Sequence, residues 1–229
     1  MTRGADPYAL GHRGGGHDGG HDRGGHGGIG RGGSTGHGEG GPASKRIITG
    51  YGFWIFLLSD IVMFSGLFAT YAVLAGATAG GPGGDVLFDL GRVKWETACL
   101  LLSSYACGLA AIAAARGNML GTQIGLLITG LLGVAFLYLE VQEFAQMIAD
   151  GAGPQRSAFL SAFFALVGCH GLHVATGLLW LATMMSQIFV KGFRPDVMRR
   201  LMCFGLFWHA LDIVWVALIT IVYLLGQAQ

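Results

Sequence analysis

Charge is scarce in this 229-residue chain: Asp, Glu, Lys and Arg make up 12% of it, against 52% hydrophobic residues and a mean hydropathy of +0.56. A soluble domain carries about twice that share of charge, so an ordinary water-soluble globule is excluded. The formal net charge of +1 leaves no basic field for a nucleic acid. Cysteine is sparse too. Cys99, Cys107, Cys169 and Cys203 lie within apolar runs and never at CxxC spacing, which excludes a disulfide framework and a thiolate zinc site and leaves them as small buried apolar residues. No cleavable leader is expected: the first apolar run starts behind "SKR", far from Met1, and lasts a full span, which reads as a retained anchor. No internal repeat or inverted hydropathy symmetry is found, which counts against a transporter built from duplicated halves.

Long apolar runs are abundant. Crossing a hydrocarbon core of about 30 Å takes roughly twenty apolar residues, and five runs qualify, at about 53–74, 96–115, 121–147, 158–190 and 201–225. The expectation is an all-α integral membrane protein, a bundle of five transmembrane helices in which short loops make successive helices antiparallel neighbours. The fourth run is longer than a perpendicular crossing requires and is expected to tilt or project. Ser157, after the turn residues "DGAGPQ", is a candidate helix cap. Eleven of the fourteen Lys and Arg fall in the N-terminal segment and the second and fourth connections, the other three in the first and third. Cytoplasmic segments retain positive charge, so the N-terminus is expected in the cytoplasm and the C-terminus on the periplasmic side.

Residues 1–46 have a different composition, mostly glycine with His12, His17, His21, His26 and His37 dispersed among them. Such a segment buries too little apolar surface to offset its chain entropy and is expected to be a disordered cytoplasmic tail, with a loose metal-binding tract as the functional alternative. Residues 47–229 would form the five-helix transmembrane domain.

Ionisable side chains inside the runs are the candidate functional residues, because each Asp or Arg at mid-bilayer costs about 2.5–3.5 kcal/mol on insertion scales and such residues face protein or water. They are Asp60, Glu140, Glu143, His170, His173, His209 and Asp212. Glu140/Glu143, His170/His173 and His209/Asp212 each share a helical face by their i, i+3 spacing. By helical rise, Asp60, His173 and His209 lie at similar inner depths, with Asp212 nearby, whereas Glu140 and Glu143 lie in the outer half, nearer His170. Three chemistries fit: a metal or haem site, a proton or ion path, and polar pairing between helices. Phe53, Trp54, Trp180, Phe207, Trp208 and Trp215 read as packing or interfacial anchors. Gly168, Gly171, Gly177 and the run Ala110–Ala115 permit close helix approach.

The segments "GFWIFLLSDIVMFSGLFATYAVL", "GPQRSAFLSAFFALVGCHGLHVATGLLW" and "LFWHALDIVWVALITIVYLLG" resemble subunit III of the haem–copper terminal oxidases, particularly the bo-type ubiquinol oxidases, over about Tyr51 to Gly226. The resemblance implies a non-redox subunit of a proton-pumping quinol oxidase of the aerobic respiratory chain, in a bacterial inner membrane. Haem and copper would lie on subunit I and no cofactor or catalytic residue on this chain. The implied partners are subunit I, other oxidase subunits and membrane lipid; the implied roles are assembly, a cleft that holds phospholipid, and sustained proton uptake. Asp60 in "LLSDIVMF" takes the place of a buried glutamate of cytochrome c oxidases, one methylene longer. Glu143 matches a family glutamate, His170 and His173 match "GxHGLHV", and His209 with Asp212 match "WHxxDxxW"; these positions imply structural or lipid-cleft roles. Five spans instead of seven also resembles the quinol-oxidase branch. The alternatives are subunit III of a cytochrome c oxidase and, more distantly, an independent transporter.

Overall fold

A computed structural model describes residues 45–78 and 90–227. The glycine- and histidine-rich segment of residues 1–44 and most of the first connection lie outside the described residues. Five helices follow one another: α1 Lys45–Leu74, α2 Leu90–Ala115, α3 Met119–Ala149, α4 Ala158–Lys191 and α5 Pro195–Gln227. Each is long and apolar enough to cross a membrane, and no strand occurs among the described residues.

The helices overrun the apolar runs because local chemistry, not hydropathy, sets their ends. Asn118 caps α3 by accepting from the Gly121 amide at 3.0 Å, and Ser157 caps α4 by accepting from the Leu160 amide at 3.2 Å. Gly192 closes α4 at φ 66°, a left-handed conformation that costs glycine little. Pro195 then opens α5, where a missing amide proton loses nothing. The fifth helix therefore begins at 195 instead of 201, and the second at 90 instead of 96. Charges read as loop residues belong to helix ends: Asp196 pairs with Arg199 one turn on, and Arg200 donates to Gln187 Oε1 at 2.9 Å.

Burial recurs every seven residues. On α5 the buried row is Val197, Leu201, Phe204, Trp208, Leu211, Trp215, Leu218 and Val222; on α1 it is Leu57, Phe64 and Tyr71. This 3.5-residue period belongs to helices that supercoil left-handedly and interlock along narrow seams. Helix pairs α2–α3, α3–α4, α4–α5 and α2–α5 pack together, and α1 lies against α4 and α5. That corrects the expectation of sequential neighbours throughout, because α1 packs chiefly on the end of the chain instead of on α2.

Trp208 shows how the seams interlock. Its indole lies between Gly133 of α3 and Gly177 of α4, where an added Cβ would come within 3.0 Å of the ring on either side. Its Nε1–H donates to Ser103 Oγ of α2 at 3.0 Å. One side chain of α5 thus touches three other helices, and it fits because two of them offer glycine there.

Candidate functional site

The candidate residues separate into four places on the seams. On the first, Asp60 of α1 faces His173 of α4, with Oδ2 and Nε2 4.0 Å apart and both side chains 21% exposed. The other imidazole nitrogen, Nδ1, lies 2.8 Å from the Cys169 carbonyl oxygen. A carbonyl only accepts, so Nδ1 carries the proton there and Nε2 is the atom presented to Asp60. Phe64 and Phe207 flank the ring at centroid distances of 5.2 and 6.5 Å.

His209 and Asp212 do not join this pair. Similar depth placed them together in the sequence reading, but depth leaves the angle around the helix open. His209 points to α2, where its Nδ1 shares a hydrogen bond of 2.5 Å with Ser104 Oγ. Asp212 is 8% exposed and lies in the electrostatic reach of the same serine, without a hydrogen bond to its carboxylate among the described residues. Nearby, Trp215 Nε1–H donates to Thr97 Oγ1 of α2 at 3.3 Å. The α2–α5 seam is thus threaded with hydroxyls, of Thr97, Ser103 and Ser104, that the sequence reading did not single out.

His170 is fully buried at the meeting point of α1, α3, α4 and α5. Trp215 stacks on its ring at 5.2 Å and 27°, and Phe136 and Phe64 meet it edge-on at 5.9 and 6.4 Å. Neither nitrogen has a hydrogen-bond partner among the described residues. The expected pairing of His170 with the carboxylates of α3 therefore does not form; the ring is packed as an aromatic.

Those carboxylates assemble with one another instead. Glu140 is 3% exposed and rests on Gly171 of α4, where an added Cβ would lie 2.7 Å from Oε1 and 2.8 Å from Oε2. Glu96 of α2 and Glu143 are its electrostatic neighbours, and Arg92 faces Glu96 from one turn away. Glu96, 1% exposed, was missed in the sequence because it stood at the edge of an apolar run and read as a boundary charge. The signal was available. Glu96, Ser103 and Ala110 repeat at seven residues and mark a seam.

Among the described residues no three of His, Cys, Asp and Glu converge as ligands, and the imidazoles face carboxylate, serine and aromatic rings on separate seams. Cys107 and Cys203 are buried, while Cys99 and Cys169 are only half-buried, a correction to the reading of all four as core residues.

Comparison with known proteins accounts for this pattern. The family described as cytochrome c oxidase subunit III matches over residues 33–227. Cytochrome bo(3) ubiquinol oxidase subunit 3 of Pseudomonas aeruginosa is 52% identical over 178 residues, covering 78% of this chain and 85% of that one. Quinol oxidase subunit 3 of Bacillus subtilis is 43% identical over 175 residues, 76% of this chain and 86% of that one. Cytochrome c oxidase subunit 3 of a Bacillus species is 41% identical over 176 residues, 77% and 85% respectively. A match across most of the chain, with five apolar helices long enough to span a membrane, identifies the chain as a member of the cytochrome c oxidase subunit III family.

Proposed function

We propose that this chain is subunit III of a haem–copper ubiquinol oxidase, a helical subunit that supports the redox core and carries no redox centre itself. The observation that carries the reading is the 52% identity to a bo(3) ubiquinol oxidase subunit 3 over 85% of that protein. In this reading haem and copper belong to subunit I, which this chain stabilises, while it helps to sustain proton uptake. The seam residues support a structural part: every histidine among the described candidates is committed to a contact between helices.

The proposed orientation places the N-terminus in the cytoplasm and the C-terminus in the periplasm of a bacterial inner membrane, a reading that the distribution of Lys and Arg supports. Phospholipid is the proposed ligand. Two surface grooves have the amphiphilic character it needs. One, of about 510 Å³, is lined by Arg92, Trp95 and Leu139; the other, of about 300 Å³, by Phe53, Trp180, Arg199 and Arg200. Each sets a guanidinium beside apolar walls, as a phosphate head with an acyl tail demands.

Purification in mild detergent, with identification of the companion chains, an optical spectrum and an oxidase assay, tests the reading. Haem-bearing companions and oxidation of quinol are the expected result. Oxidation of reduced cytochrome c in place of quinol would favour the second reading, a cytochrome c oxidase subunit, which the 41% identity to one such subunit supports. Haem bound by the isolated chain, or solute transport by it alone, would overturn both.

A further inference from the structure

Asp60 and His173 face each other at 4.0 Å, too far for a direct hydrogen bond and at a separation where a bridging water is the natural candidate. Beside them is a small, partly open pocket of about 20 Å³ between α1, α4 and α5, walled otherwise by apolar side chains such as Leu57, Phe64, Phe207 and Leu211. A water molecule needs about 10–15 Å³ of such space and at least two polar partners. Both conditions are met.

The hydrogen-bond chemistry is equally selective. In its neutral form, with the Nδ1 proton given to the Cys169 carbonyl, His173 offers Asp60 an acceptor lone pair on Nε2, and the carboxylate of Asp60 is itself an acceptor. Two acceptors repel unless a donor of two hydrogens stands between them. Water is that donor. Two hydrogen bonds of about 2.8 Å meeting at one oxygen span about 4.0 Å at a right angle and about 4.6 Å at the tetrahedral angle, so the separation found is the narrow end of what one water can bridge. The flanking rings of Phe64 and Phe207 fix the imidazole, so Nε2 cannot swing away from the cavity. Among the described residues no other titratable group lines the pocket: α5 contributes Phe207, Ala210, Leu211 and Val214, and α1 adds Leu57, Ile61 and Phe64 beside Asp60. Cys169 and His170 on α4 are the pair's nearest electrostatic neighbours.

We infer that Asp60 and His173 form a binding site for a single water molecule, which donates one hydrogen to Asp60 Oδ2 and the other to His173 Nε2 and so joins α1 to α4. The site takes a water-sized double donor and nothing larger, since its remaining surface is hydrocarbon.

A map of the full-length chain, in whatever assembly it is purified with and at a resolution that shows ordered waters, tests the inference. The expected result is one density peak about 2.8 Å from both atoms. Direct contact of the two side chains below about 3.2 Å, or a cavity without density in a map that shows buried waters elsewhere, overturns it. The Asp60→Glu variant gives a second, independent reading. Its extra C–C bond of about 1.5 Å carries the carboxylate across the gap, so the peak should vanish and a direct Glu–His hydrogen bond, with one proton taken up between the two acceptors, replace it. A water retained unchanged in that variant would show that other groups hold it, and would overturn the proposal equally.

Discussion

Helices α1 and α4 are alike in length and hydropathy, yet half of the apolar window of α4 is buried and only 11% of that of α1. The difference lies in how many seams each helix serves. Helix α4 packs on α1, α3 and α5 and buries two seven-residue rows, Phe163/His170/Gly177/Met184 and Val167/Val174/Leu181/Ile188. Helix α1 buries one row of three large side chains, with Asp60 beside it. In water an exposed apolar face would itself drive the helix inward. In lipid it does not, so attachment depends on interlocking and on polar contacts. The lesson is that α1 is held by few residues and α4 by many, and that polar groups matter most where packing is thinnest.

The contrast can be broken first at the centre. Trp208→Ala empties the slot between Gly133 and Gly177 and removes the bond to Ser103, and should cost about 3–5 kcal/mol, the largest effect expected; unfolding in a graded denaturing detergent measures it. Next comes Gly171→Ala, which puts a methyl against the Glu140 carboxylate and should cost about 1–3 kcal/mol. The double variant with Glu140→Ala should recover most of that loss, and full additivity of the two would refute the contact.

At the periphery the effects shrink. Asp60→Ala should cost about 0.6–1.7 kcal/mol, the range for polar contacts between membrane helices, because the pair is one-fifth exposed and not in direct hydrogen bond. Its mark is selectivity: faster hydrogen exchange or cleavage in α1, with α2 to α5 unchanged. A loss spread evenly over all five helices would contradict the division drawn here. The smallest effect belongs to Gly66→Ala on α1, where an added Cβ meets nothing within 4 Å; it should change stability by less than about 0.5 kcal/mol. Set beside Gly171→Ala, it measures the same substitution on a seam and off one.

How much of this was readable beforehand follows from the same physics. The number and approximate placement of the helices were legible because a bilayer demands long apolar runs. Their ends were not, since Asp196, Arg199 and Arg200 look like loop residues until the first turn of α5 folds around them. The family was legible in three long motifs. The seams were hidden, because outward Leu127, Leu131 and Val134 are as apolar as any inward residue, and hydropathy alone cannot tell the two faces apart. Depth was legible from helical rise, which brought Asp60 to His173; direction around the axis was not, which is why His209 was wrongly grouped with them. Glu96 was lost for want of that same angular information.

The position of Trp208 on α5, after the three helices it joins, has a temporal consequence. Ribosomes deliver α2, α3 and α4 before α5, so the three helices that share this indole must await it with a crevice between Gly133 and Gly177 still open. A polypeptide halted before residue 208 would lack its keystone however completely the earlier segments had inserted.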